Sequence, residues 1–130
     1  MEKALYIRFD PDSGVPAVRQ ITNKLRIFLV GGKFPPGTLL PSTRRLAMEL
    51  GVHFGTVAEA YRELATEGWL DLRHGRGAIV LARSVRPMRR KVWVDEFRDR
   101  LLGLIAQTLA RGALAEELAA ELRAVAKEVG

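Results

Sequence analysis

Gly51 separates two runs of helical periodicity, and that separation constrains the chain more than any other feature. In LPSTRRLAMELGVHFGTVAEAYRELATEGWL, residues 40–70, Leu46, Ala47 and Leu50 recur on one face of a first helix. Val57, Ala60, Tyr61 and Leu64 do the same on a second, at the three-and-four spacing of a half-buried helix. Between them the chain must turn sharply, and glycine enters the left-handed region without a Cβ penalty. Ala47, Gly51 and Val57 stand four and then six residues apart. They supply a small residue where the helices touch, a turn, and an apolar plug on the second helix, as a helix-turn-helix requires. For this stretch alone, an ordinary αα-hairpin is the alternative.

The flanking residues favour the helix-turn-helix. Downstream, Gly68 is a helix stop and Trp69–Arg73 is expected to be extended. His74-Gly75-Arg76-Gly77 forms a turn and Ala78–Leu81 a second short strand. Two strands with a Gly-rich basic tip make a wing. Upstream, Val18, Ile21, Leu25, Phe28 and Leu29 predict a helix over residues 16–30, with Ser13 or Gly14 before it and Pro16 in its first turn. Gly31 and Gly32 end that helix. A short extended piece is expected at Thr38–Leu40, and Ser42 is placed to N-cap the next helix. Leu5–Phe9 alternates and predicts a short strand or a packed arm. The fold class expected is α+β, mostly helical: a winged helix-turn-helix followed by a C-terminal helical hairpin.

That hairpin is read from the last third. Val94, Phe97, Leu101, Leu104, Ile105, Thr108 and Leu109 line one helix, with Trp93 at its entry and Arg111-Gly112 closing it. Leu114, Leu118, Leu122, Val125 and Val129 form a stripe on a second, flanked by Ala115, Ala119 and Ala126. A helical hairpin this small buries too little to stand alone. Its stripe, with Phe97, Leu101, Leu104, Ile105, Leu114, Leu118, Leu122 and Val125 as the principal residues, is therefore read as the interface of a homodimer.

Charge separates the two parts. Residues 1–82 carry a net +3, residues 83–91 (RSVRPMRRK) +5, and residues 92–130 −2. The expected organisation is a basic module over 1–82, the winged helix-turn-helix, then a basic linker over 83–91 and the helical dimerisation hairpin over 92–130. Five like charges at Arg83, Arg86, Arg89, Arg90 and Lys91 repel one another unless an anion lies near, so the linker is a candidate for phosphate contacts. A solvated linker is the alternative. The overall +6 and pI near 10.3 suit an acidic polymer as partner.

Other functions find little support. The N-terminus MEKALYIRF lacks a signal peptide's apolar region, no apolar run approaches a membrane span, and cysteine is absent. A cytoplasmic protein without disulfides is expected. His53 and His74 are too isolated for a metal site. No paired carboxylates, activated nucleophile or phosphate loop is recognisable, so neither an enzyme nor a cofactor is expected.

The segments SGVPAVRQI, GGKFPPGTLLPSTRRLAMELGVHFGTVAEAYRELATEGWL and RHGRGAIV together resemble the GntR family of bacterial transcription regulators. The short two-helix tail is similar to that of the small YtrA-like branch, in which such a hairpin mediates dimerisation. It is too short for the effector-binding or aminotransferase-like domains of other branches. The resemblance implies a dimeric, sequence-specific DNA-binding regulator, a repressor, acting on a two-fold-symmetric operator in double-stranded DNA. A winged-helix module for protein contacts is the alternative.

The resemblance also implies which residues meet DNA. Ser42 and Arg44, with Arg45 next to them, lie at the start of the first helix of the pair, where N–H groups, a hydroxyl and guanidinium groups can hold phosphate oxygens. His53, Phe54, Gly55 and Thr56 open the recognition helix, and Tyr61 lies further along it, at a position that suits the core as well as a phosphate contact. Arg73, His74, Gly75, Arg76 and Gly77 form the wing, where Arg suits a narrow minor groove. Family members commonly carry an Asn-Pro-Asn-like or Arg-containing run where this chain has His53-Phe54-Gly55, so the operator is expected to differ. Neither the operator nor any small-molecule effector can be named from these residues.

Overall fold

Three helices, α1 (Ala17–Val30), α2 (Thr43–Leu50) and α3 (Phe54–Thr66), close around one apolar core under a three-stranded sheet. The computed structural model describes residues 7–73, 77–83 and 86–129. The chain divides into two compact units, Met1–Arg83 and Ser84–Gly130. Winged helix-turn-helix followed by helices is the fold.

In the first unit α3 packs on both α1 and α2. Ile21, Leu25 and Leu29 of α1, Leu46 and Ala47 of α2, and Val57, Ala60, Tyr61 and Leu64 of α3 are buried together with Phe34. These are the periodic positions, so the amphipathic pattern is satisfied by helix-on-helix packing. α2 begins at the expected cap, where Ser42 Oγ accepts the Arg45 N–H at 3.2 Å. It ends at Gly51, whose φ of 70° is left-handed and whose N–H returns to the Ala47 carbonyl. α1 begins differently from expectation. Pro16 itself is the N-cap, while Ser13 Oγ accepts from the Val15 N–H and from Gln20 Nε2.

The sheet has the order β1-β3-β2, all antiparallel, from β1 (Leu39–Leu40), β2 (Leu70–Asp71) and β3 (Ala78–Val80). Leu39 faces Ile79 and Leu40 faces Ala78; on the other side Leu70 faces Val80. Leu40, Leu70, Ala78 and Val80 point into the core while Ile79 points out, the two-residue alternation of a half-buried strand. The wing strands are shorter than the expected Trp69–Arg73 and Ala78–Leu81 runs. Ile7–Phe9 form no strand, and Leu5 lies outside the described residues. The segment is instead an arm. Ile7 packs against the core, and Gln20 clasps Asp10 by accepting its N–H at 3.0 Å and donating to its carbonyl at 2.8 Å.

An ion-pair cluster joins α1 to the end of α3. Arg26 donates to both carboxylate oxygens of Glu67, at 2.9 and 2.6 Å, and lies 3.7 Å from Glu63. Those hydrogen bonds hold the Glu67 carboxyl below its ordinary value and raise the Arg26 guanidinium.

The second unit is a helical hairpin, α4 (Arg90–Ala110) and α5 (Ala115–Val129), with Gly112 in the turn at a φ of 106°. α4 starts two residues earlier than expected, so Arg90 and Lys91 lie in its first turn rather than in a linker. No described side chain of this unit is fully buried. Leu101, Ile105 and Leu118 are half-buried, whereas Phe97 is 53% and Leu104 60% exposed. No helix among the described residues is long and apolar enough to cross a membrane.

Candidate nucleic-acid interface

The starts of α2 and α3 meet through side chains. The Arg44 guanidinium lies over the Phe54 ring, 4.8 Å from its centroid. Phe54 also stacks with His53, centroids 4.7 Å apart and planes at 29°. His53 is the N-cap of α3: its Nδ1 accepts the Gly55 N–H at 3.0 Å and its carbonyl accepts the Thr56 N–H at 3.0 Å. A Cβ on Gly55 would sit 3.0 Å from that same Nδ1. The sequence His53-Phe54-Gly55 therefore works as one unit, an imidazole cap with a glycine that leaves room for it. Thr56 follows, half-buried.

Beside the same N-terminal end of α2, a surface groove is lined by Ser42 and Thr43, by Ala58, Tyr61 and Arg62 of α3, and by Leu72 and Gly77 at the base of the wing. Ser42 offers a hydroxyl, Arg62 an exposed guanidinium, and the walls come from three separate segments of chain. A rod with regularly spaced phosphates fits such a surface better than a small molecule does, because the charge lies on outward faces and not in an enclosed cavity. Thr43 and Arg62 were not expected in the site. Ala58 and Arg62 stand four apart, off the buried Val57–Ala60–Leu64 face, and that spacing was the available signal.

Several expected contacts are engaged elsewhere. Tyr61 borders the groove but is 1% exposed, and its hydroxyl donates to the Pro41 carbonyl at 2.8 Å, so the core reading of this residue is the one observed, tying α3 to the β1–α2 corner. Arg45 reaches Glu49 one turn along α2, Nε to Oε1 3.3 Å. Arg73 folds back on Asp71, Nε to Oδ1 3.0 Å and Nη2 to Oδ2 2.8 Å, which raises the guanidinium further and offsets its charge locally. Gly77 has a φ of 105°, and a Cβ there would lie 2.8 Å from the Leu40 carbonyl oxygen. Its glycine is required by the packing of wing on strand, independently of any ligand. His74, Gly75 and Arg76 lie outside the described residues. Arg83, grouped above with the linker, lies over Trp69 at 4.6 Å and donates to the Glu67 carbonyl at 2.9 Å.

In the second unit the expected residues divide. Phe97, Leu101, Leu104, Leu118, Leu122 and Val125 line one groove, apolar but for Glu121, whereas Ile105 and Leu114 lie outside it.

Residues 17–80 match the family model described as bacterial regulatory proteins, gntR family. Over 74 residues the chain is 36% identical to the HTH-type transcriptional repressor YtrA of Bacillus subtilis (strain 168); the match covers 57% of this chain and 57% of that protein. Among solved structures, YtrA from Sulfolobus acidocaldarius, a GntR-family transcription factor, is 30% identical. It superposes with a TM-score of 0.58 over 77% of this chain and 97% of its own. A transcriptional antiterminator from Listeria monocytogenes EGD-e superposes over 98% of this chain and 94% of its own, with a TM-score of 0.71. At 24% identity that likeness speaks to the fold alone.

Proposed function

The chain belongs to the GntR family of bacterial regulatory proteins, and on that premise we propose that it is a sequence-specific transcription regulator that binds double-stranded DNA as a homodimer. The observation that carries this reading is the convergence of α2, α3 and the wing base on the outward face holding Ser42, Arg44, Phe54 and Arg62. In it, α3 enters the major groove from its His53–Thr56 end. Ser42, Arg44 and Arg62 hold phosphates on either side, and the wing reaches the adjacent minor groove. The first unit is the DNA-binding module, and the hairpin that begins with α4 at Arg90 is the dimerisation element.

The homodimer is supported by the apolar groove of α4 and α5, which in one copy leaves Phe97 and Leu104 mostly in water. A second hairpin would cover them, and two-fold pairing would present two recognition helices to a palindromic operator. Repression is the mode we assign, since the Bacillus relative is a repressor. The reading puts the protein in the cytoplasm with the DNA, and it needs no cofactor.

A gel shift with the DNA upstream of the protein's own gene, competed with unrelated duplex, tests the proposal. A retarded complex that survives excess competitor is expected. Binding abolished equally by any duplex, or absent at low salt, would overturn it.

A further inference from the structure

Phe54 is 44% exposed at the first position of α3 although the core is complete without it. Val57, Ala60, Tyr61 and Leu64 fill the buried face of that helix, and Phe54, at the helix entrance, is not among its buried residues. A large apolar ring in water is unfavourable in proportion to its bare area. Here it is also held still, by the Arg44 guanidinium at 4.8 Å and the His53 imidazole at 4.7 Å. His53 is in turn fixed by its bond to the Gly55 N–H. An exposed aromatic braced on two sides by polar groups is built to meet something apolar.

On the DNA-binding reading above, on which this inference rests, the start of α3 faces base edges. Phe54 has no donor or acceptor, and Gly55 has no side chain. The major-groove edge of the bases offers one apolar group, the C5 methyl of thymine. We propose that Phe54 is a specificity-determining residue that recognises a thymine methyl in each half of the operator. Arg44, lying over the same ring, contacts the phosphate beside it. His53 and Gly55 serve as positioning residues that fix the ring at the helix entrance.

The test uses the full-length protein and a duplex selected from a randomised pool. Each thymine is replaced in turn by deoxyuridine, which removes the methyl and nothing else. One position per half-site should then cost the wild-type protein about fourfold in affinity, the value of one buried methyl-sized group. Phe54→Ala should bind thymine and uracil duplexes equally well there. Phe54→Arg should select guanine in place of that thymine. Wild-type protein that tolerates uracil at every thymine overturns the inference, whatever the variants do. So does Phe54→Ala that keeps the full uracil penalty. If Phe54→Ala lowers the salt dependence while the wild type is indifferent to uracil, the ring serves only to hold Arg44. A pool that yields no enriched sequence defeats the DNA-binding reading itself, whereas an enriched site indifferent to its methyls defeats this inference alone.

Discussion

The backbone N–H of Gly55 donates to Nδ1 of His53 at 3.0 Å, so the entrance of α3 is capped by an imidazole. Asn, Asp, Ser and Thr are the usual caps, and His substitutes here because the residue two positions on has no side chain to collide with it. His53→Ala should destabilise the protein by about 1 kcal/mol, and His53→Asn should restore most of that loss. Gly55→Ala gains about 1 kcal/mol of helix propensity but sets a Cβ 3.0 Å from the capping nitrogen. Alanine at 55 should therefore stabilise the His53→Ala protein while gaining little in the wild type. Urea denaturation of the four proteins of this cycle measures the coupling; strict additivity would show that the imidazole does not cap in solution.

The Arg26–Glu67 pair predicts acid sensitivity. Arg26 holds the Glu67 carboxyl below its ordinary value, so this contribution is fully present above the unfolded carboxylate range. It is lost as pH falls through the lower, folded value. With side chains 31% exposed, the pair is worth about 1 kcal/mol at neutral pH. Glu67→Gln should lose about that at pH 7. Its stability should converge on the wild type as pH falls below the ordinary carboxylate range and through the lower, folded value. Parallel stability curves down to the most acid pH would remove the pair from the account.

Thr22 is 0% exposed on α1, and among the described residues its hydroxyl has no hydrogen-bond partner. Thr22→Val replaces the hydroxyl by a methyl of nearly equal size and removes that desolvation penalty. A gain of about 1 kcal/mol is expected, read as a raised denaturation midpoint with an unchanged slope. Destabilisation would mean that a water or an alternative rotamer satisfies the hydroxyl.

Charge placed in the apolar groove of the hairpin should break the proposed dimer. Leu118→Lys with Leu122→Lys sets two ammonium groups where a second copy would pack. Sedimentation should then report monomers, and operator affinity should fall because each half-site is bound alone. A dimer of unchanged strength would put the interface on another surface.

The basic run makes opposite demands on stability and binding. Arg89 is the N-cap of α4, and Arg90 and Lys91 occupy its first turn, where positive charge opposes the helix dipole by about 0.3–1 kcal/mol each. Changing all three to Gln should stabilise the hairpin slightly. If these residues contact phosphates, the same change in both copies lowers the salt slope of DNA binding by up to about 5 units, at ~0.9 per contact. Affinity measured against salt decides this, and an unchanged slope would mean that the run never approaches DNA.

Much of this protein was readable before any tertiary structure. Ile21, Leu25, Val57, Ala60 and Leu64 are core residues because helical periodicity is a local property of the chain. Ser42 as a cap and Gly51 as a left-handed turn follow from residue type and position alone. The order helix, helix, helix, hairpin follows in the same way. The apolar groove was also visible in outline, although α4 begins at Arg90 and Ile105 and Leu114 fall outside the groove. Other features depended on residues brought together from a distance. Periodicity put Tyr61 on the buried face, but its hydroxyl stays there because Pro41, twenty positions earlier, offers a carbonyl at 2.8 Å. Gly77 is glycine because Leu40 passes beneath it, and Arg83 is anchored because Trp69 and Glu67 lie within its reach. A sequence gives a side chain's chemistry and its place along an element. Whether that chemistry faces water or a partner depends on which segments pack beside it, and only the folded chain decides that.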